Sequence, residues 1–150
     1  MHLLALRLAS VHLKPLSIII SFLVAITSAC RASELAALRA DAPHIQFYPD
    51  KVVLYPDVSF LPKVISDFHV NQPLILPTLF PSPFSDIERM LHSLDVCRTL
   101  AFYISRTKDF RTSPRLFVCF HGPHKGFSCL FTDGLKMDCL CHYVGLSISR

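Results

Sequence analysis

The fold of this chain is decided around Thr27-Ser28-Ala29-Cys30-Arg31-Ala32-Ser33-Glu34-Leu35, a polar break between two segments with helical character. Ser33 is a predicted helix N-cap, and Glu34 in the first turn suits the positive end of the helix dipole. Free backbone N–H groups at such an end attract phosphate, and a neighbouring guanidinium can bind two phosphate oxygens. Arg31 is therefore a candidate phosphate ligand whose guanidinium Glu34 could hold. An ordinary surface arginine near a helix cap is the alternative.

The apolar run of residues 16–29, just before this break, has two interpretations. It follows Arg7 and Lys14, no acid precedes Glu34, and small residues precede Cys30, which is typical of a secretory signal or a lipoprotein. The run is too short for a membrane span, which takes about 20 residues. The alternative is a buried helix, because apolar residues recur at helical spacing: Ile18, Ile19, Phe22, Leu23 and Ile26. Composition does not separate the two interpretations.

The bulk composition indicates one folded domain. A chain of 150 residues with 51% hydrophobic and 17% charged residues does not fit disorder. Its net charge is +4, and the basic stretch from Arg98 to Lys125 contains only one acid, Asp109. This bias suits a polyanionic partner, although a solvated basic face is the alternative. The stretch contains Arg98, Arg106, Lys108, Arg111, Arg115 and Lys125.

The six cysteines are scattered, and none of them forms a C-x-x-C pair. Cys139, Cys141 and His142 lie close together but lack the spaced second pair of ligands that a zinc site needs. We therefore expect free, buried thiols in an intracellular protein, with no metal and no cofactor.

Elements along the chain predict an α+β fold with one core. A helix is expected over residues 34–40, with Leu35 and Leu38 on one face. Eight prolines between Pro43 and Pro83 exclude any long helix there. Within that stretch, β-type runs at residues 44–47, 51–55, 62–65 and 74–76 predict a small sheet.

Helical patterns return after the sheet. Ser85-Asp86-Ile87-Glu88 is a predicted capping box, followed by an apolar stripe of Ile87, Leu91 and Leu94. A second helix is expected over residues 95–106. Residues 116–120 form a short apolar, strand-like run, and a turn is predicted at 121–126. The inward face expected of the second helix consists of Val96, Leu100, Tyr103 and Ile104.

The segment around Arg31 resembles the first catalytic box of tyrosine recombinases. In that box a Thr-Gly or Thr-Ser pair leads into Arg, two further residues, Glu and Leu, and Arg31, Glu34 and Leu35 fill this pattern. The resemblance, from about residue 16 to residue 126, is to the recombinase domain of DIRS-like retrotransposons. It is carried by residues 22–29, 33–38, 59–64, 80–84, 106–111 and 116–120, followed by Lys125-Gly126.

This resemblance implies a fold, a partner and a location. The expected fold is a mainly helical α+β recombinase catalytic core with a small antiparallel sheet, incomplete at its C-terminus. It would occupy residues 1–126, and residues 127–150 would form a divergent cysteine-rich tail. The implied function is DNA recombination and integration by a mobile element, in the nucleus or cytoplasm, without a membrane. The full-length parent enzyme would form a homo-oligomer.

The resemblance also implies roles for individual residues. Arg31 would contact the scissile phosphate and stabilise charge on its oxygens in the transition state. A lysine of the small sheet would protonate the leaving 5′ oxygen; Lys63 is the candidate and Lys51 the alternative. The residues expected to contact the DNA backbone are Arg106, Lys108, Arg111 and Lys125.

The sequence departs from the family after Gly126 and lacks two of its motifs. None of the eight histidines begins a His-x-x-Arg box, and the late Tyr143 has no such box before it. We therefore expect a truncated, catalytically inactive recombinase fragment with residual DNA binding, because the attacking nucleophile is missing. The alternative is a small secreted or lipid-anchored, cysteine-containing protein with a signal peptide over residues 1–29.

Overall fold

The computed structural model describes residues 11–61, 72–92 and 94–119. The first element among these residues is helix α1, Leu13–Ser28, which packs against the later helix Val96–Thr107 and the strand Leu74–Pro77. Pro15 lies in the first turn of α1, where its missing N–H removes no helical hydrogen bond. The helix is part of the hydrophobic core, through Leu16, Ile18, Ile20 and Val24.

The buried face of α1 differs from the predicted one. Ser17 and Ser21 are fully buried, whereas Ile26 is 65% exposed. Ser21 can lie inside because its hydroxyl donates a hydrogen bond to the Ile18 carbonyl at 3.0 Å. A small residue with its hydroxyl satisfied within the helix permits close packing, so the apolar residues alone did not identify the inward face.

Helix α2, Ala32–Ala37, is shorter than predicted. Its N-cap is Arg31 and not Ser33, which is exposed within the first turn. The helix ends at Ala37 because Leu38 is extended and forms a β-bridge with Pro56, while Arg39 forms one with Arg115. Leu35 and Leu38 are both buried, as predicted.

A three-stranded antiparallel sheet follows, with strand order β1-β2-β3. The strands are β1, Ile45–Phe47; β2, Lys51–Leu54; and β3, Leu74–Pro77. Its predicted strands at 44–47, 51–55 and 74–76 are confirmed, and the run at 62–65 lies outside the described residues. The sheet gives the core Val52, Leu54 and Leu76, all fully buried.

The predicted capping box at Ser85 is confirmed at the start of helix α3, Asp86–His92. The Glu88 N–H donates to the Ser85 hydroxyl at 3.2 Å, and the Ser85 N–H donates to the Glu88 carboxylate at 3.3 Å. The apolar stripe that follows does not enter the core, because α3 buries none of its side chains. Ile87 is 68% exposed, and Leu91 and Leu94 are also exposed. Helical periodicity correctly predicted the helix but not what would cover it.

Helix α4, Val96–Thr107, is capped by the buried carboxylate of Asp95, which accepts a hydrogen bond from the Arg98 N–H at 3.2 Å. The same carboxylate accepts from the Leu79 N–H at 2.9 Å, and so joins the helix start to the chain after β3. The predicted inward face is confirmed: Val96, Leu100 and Tyr103 are buried and Ile104 is partly buried.

The apolar run after α4 is buried but is not a strand. Leu116, Phe117 and Val118 are almost completely buried, yet only isolated bridges occur there among the described residues. Their backbone groups bond across the core instead: the Leu116 N–H donates to the Leu38 carbonyl at 2.8 Å. The prediction of a strand was wrong for this reason. The predicted turn at 121–126 and the boundary at residue 126 lie outside the described residues.

Three of the cysteines are described. Cys30 and Cys97 are free, as expected, whereas Cys119 is disulfide-bonded, contrary to the expectation of free thiols. Helices and a small antiparallel sheet share one core, so the α+β class predicted from the sequence is confirmed.

Candidate nucleic-acid interface

Arg31 lies in the tight connection between α1 and α2. Ala29, which ends α1, adopts a left-handed conformation with φ 54° and ψ 25°. The Ser28 hydroxyl donates to the Val24 carbonyl and accepts from the Cys30 N–H at 3.3 Å. The chain then extends through Arg31, whose carbonyl accepts the N–H groups of Glu34 and Leu35, both at 3.0 Å. This connection leaves Arg31 exposed at the start of α2.

Glu34 fixes the backbone of Arg31. Its carboxylate accepts a hydrogen bond from the Arg31 backbone N–H at 2.8 Å. Among the described residues it forms no ion pair with the Arg31 guanidinium, so the prediction that Glu34 holds the guanidinium is corrected. A carboxylate at this position can satisfy a free N–H and interact favourably with the helix dipole. The guanidinium remains accessible to a ligand.

The opposite end of α2 is held by four charged side chains, which we call the Arg39 cluster: Arg39, Asp41, Asp57 and Arg115. Arg39 binds Asp41 through Nε at 2.8 Å and Nη2 at 2.7 Å, and binds Asp57 through Nη1 at 2.9 Å. Arg115 Nη1 lies 4.0 Å from the Asp57 carboxylate. The cluster joins three distant parts of the chain.

The charges of the cluster are mutually stabilised. Hydrogen bonds from Ser59 are the main cause of the lowered pKa of Asp57, with a further contribution from Arg39. Hydrogen bonds to Asp41 and Asp57 raise the pKa of Arg39, and the bond from Arg39 lowers the pKa of Asp41. Arg39, Asp41 and Asp57 are therefore ionised at neutral pH.

Of the two lysines that are candidates for the general acid, one lies among the described residues. Lys63 lies outside the described residues. Lys51 begins β2, where its ammonium group lies 5.6 Å from the centre of the Tyr48 ring. Beyond the other end of β2, Pro56 bridges Leu38 just after α2. Lys51 is thus placed at the far end of the strand from this contact with the α2 segment.

The basic residues predicted to contact DNA occupy different environments. Lys108 is exposed in the 3-10 helix Lys108–Phe110 that follows α4, and Arg106 is partly exposed in the last turn of α4. Lys125 lies outside the described residues. The group therefore does not act as one uniform basic face.

Arg111 points into the protein. Its guanidinium donates to the Leu116 carbonyl at 3.0 Å and to the Thr107 hydroxyl at 2.6 Å, and also bonds the Arg115 carbonyl. It lies 5.9 Å from the centre of the Tyr103 ring, and burial lowers the pKa of Arg111. This geometry favours a structural role for Arg111 over a phosphate contact.

Sequence reasoning missed the Arg39 cluster. Asp41 lies two residues before Pro43 and Asp57 directly follows Pro56, and nothing near either residue in the chain indicates a partner, while Arg115 stands out only as part of the basic stretch. Asp57 is 18 residues from Arg39 and Arg115 is 79 residues from its acceptor Ala36. No local pattern indicates contacts over such separations.

Comparison with known proteins gives no relative: no protein-family model, curated protein or solved structure matches the chain. In the part of the chain that the structure describes, no three His, Cys, Asp or Glu side chains are grouped to bind a metal ion. No helix among residues 11–61, 72–92 and 94–119 is both long and apolar enough to cross a membrane.

Proposed function

We propose that this chain is a partial tyrosine-recombinase catalytic domain of the DIRS-like retrotransposon type, which binds DNA but does not cut it. The observation that carries the proposal is the placement of Arg31. It is exposed at the start of a helix, and its backbone is fixed by Glu34. In the order of the chain, it follows the buried helix α1 and precedes the small antiparallel sheet. The resemblance implies this order of elements.

In this proposal Arg31 binds a backbone phosphate of DNA. The guanidinium offers a planar pair of donors that can bind two phosphate oxygens. Lys108 and Arg106 supply further positive charge from the end of α4. Such contacts with phosphates give affinity without sequence preference.

Strand cleavage is not part of the proposed function. In the family, a tyrosine attacks the phosphate, and a His-x-x-Arg box precedes that tyrosine. These 150 residues contain no such box. Electrostatic stabilisation by Arg31, even with a lysine acid from the sheet, does not replace the attacking group.

The proposal is tested by measuring the affinity of the purified chain for a labelled DNA duplex over a salt series of about 50 to 200 mM. We expect the affinity to fall steeply with salt, and Arg31→Ala to reduce the slope by about one phosphate contact. Arg89→Ala is a matched control, because Arg89 is an exposed arginine of α3 paired with Asp86. Affinity that ignores salt, or equal effects of the two substitutions, would contradict the proposal.

The alternative of a secreted protein with a signal peptide over residues 1–29 meets a structural difficulty. Removal of these residues would take away α1, which supplies Leu16, Ile20 and Val24 to the core. Leu100 and Tyr103 belong to that same core, and the α4 face that α1 covers would meet water. Loss of so much buried apolar surface is expected to exceed the small net stability of a domain of this size.

A further inference from the structure

The position of Arg31 depends on how α2 is held. An isolated helix of six residues is not stable in water, because the cost of the first turn is not recovered over so short a length. At the N-terminal end of α2, the Glu34 carboxylate accepts a hydrogen bond from the Arg31 N–H. That bond is internal to the segment and cannot orient α2 relative to the rest of the protein. The orientation must come from contacts with other segments.

Two such contacts reach the last carbonyls of α2, which have no partner within a helix. The Ala37 carbonyl accepts the Asp57 N–H at 2.8 Å. The Ala36 carbonyl accepts Arg115 Nη1 at 3.3 Å. Asp57 therefore holds the end of α2 directly, through its backbone, and Arg115 does so through its guanidinium.

The Asp57 carboxylate keeps these groups in place. Oδ1 accepts the N–H and the hydroxyl of Ser59 at 2.9 and 2.6 Å, which fixes the turn that contains Asp57. Oδ2 faces both Arg39 and Arg115. The side chain of Asp57 is only 13% exposed, against 95% for Asp86 in the surface pair with Arg89. Salt therefore screens the Asp57 contacts less.

We infer that Asp57 is a positioning residue for Arg31: it fixes α2 through the Ala37 carbonyl and through Arg39 and Arg115, and thereby orients the guanidinium toward phosphate. This inference rests on the proposed function. A rigid helix of six residues spans about 9 Å, so a change at its C-terminal end moves Arg31. A displacement of about 1 Å is enough to weaken a directed contact.

The test compares substitutions in the wild-type chain and in the Arg31→Ala chain. Asp57→Asn removes a negative charge, so a purely electrostatic effect would strengthen binding to DNA. We expect the opposite: about tenfold weaker duplex binding at low salt, comparable to Arg31→Ala. In the Arg31→Ala chain the same substitution should cause no further loss.

Controls separate positioning from charge and from general instability. Asp86→Asn makes the same charge change at an exposed site and should leave duplex affinity unchanged or slightly higher. Arg39→Lys keeps the charge but loses the fork to Asp41 and Asp57, and should reproduce the effect of Asp57→Asn. If the Asp57→Asn protein does not show a cooperative unfolding transition, the test is made with Arg39→Lys.

The outcomes distinguish this inference from the proposed function. If Arg31→Ala weakens binding while Asp57→Asn and Arg39→Lys do not, the inference is overturned and the proposed function stands. Equal fractional losses in the wild-type and Arg31→Ala chains would also overturn it, because they would indicate instability in place of positioning. If the wild-type chain shows no salt-dependent binding to duplex DNA, both are overturned.

Discussion

The buried hydroxyl of Tyr103 accepts a hydrogen bond from the Val118 backbone N–H at 3.1 Å, and so joins α4 to the apolar segment that follows it. Both residues are fully buried, and the Tyr103 ring lies 6.2 Å from that of Phe117. The bond explains how a segment that is not a strand can lie in the core, because its N–H finds a partner away from water.

Removal of this hydroxyl should destabilise the protein. Tyr103→Phe leaves the Val118 N–H buried without an acceptor, which costs about 1–3 kcal/mol of unfolding free energy at neutral pH. Urea unfolding followed by circular dichroism measures the change. Tyr48→Phe is the matched control, because the Tyr48 hydroxyl is exposed and donates its hydrogen bond to the Gln46 side chain. Similar small effects from both substitutions would mean that the bond contributes little.

The same residue predicts a loss of stability at alkaline pH. Burial raises the pKa of Tyr103 above its ordinary value of 10.0, so the folded state holds the phenolic proton more tightly than the unfolded state. This contribution is complete below pH about 10 and is lost as pH rises through the folded-state pKa. The unfolding free energy is measured below pH about 10 and again above it. It should fall with rising pH in the wild-type chain and fall less in Tyr103→Phe. A parallel fall in both proteins would contradict the assignment.

Helix α1 should contribute to stability as part of the core. Ile20→Ala is expected to lower the unfolding free energy by about 2–5 kcal/mol, because Ile20 is fully buried. Ile26→Ala, on the exposed face of the same helix, should change it by less than about 0.5 kcal/mol. Thermal or urea unfolding gives both values. Equal effects would show that α1 does not pack as the structure has it.

The connection before Arg31 contains a residue that glycine would suit better. Ala29 has φ 54°, which costs an L-residue about 1–2 kcal/mol relative to glycine. Ala29→Gly is therefore expected to stabilise the protein by up to about 1 kcal/mol after the greater flexibility of the unfolded chain is counted. Ala101→Gly, at an exposed position inside α4, should destabilise it by about 1 kcal/mol. The same sign for both substitutions would contradict the left-handed conformation of Ala29.

Arg111 and Lys108 should separate stability from DNA binding. Arg111→Lys loses the fork in which Nη1 donates to the carbonyls of Arg115 and Leu116 and Nη2 donates to the Thr107 hydroxyl. We expect a loss of about 1–3 kcal/mol in unfolding free energy. The salt dependence of its duplex binding should not change. Lys108→Gln should leave stability within about 0.5 kcal/mol and reduce the salt slope by about one. The reverse pattern would return Arg111 to the proposed DNA-contacting residues.

By itself, the sequence determined the α+β class, three strands, the capping box at Ser85 and the inward face of α4. These features depend on spacing and on residues close in the chain, such as Ser85 and Glu88, so periodicity and capping chemistry are enough to predict them. The same local reasoning placed Arg31 at the start of a helix, although it put the N-cap at Ser33.

Only the tertiary structure decided which of these elements are covered and what holds Arg31. The apolar stripe of α3 is exposed, whereas Ser17 and Ser21 are buried, because burial depends on what packs against a face and not on its periodicity. The contacts of Asp57 with Arg39 and of Arg115 with Ala36 join residues 18 and 79 positions apart. Such contacts form only when the core brings the segments together, so no local pattern in the sequence could predict them.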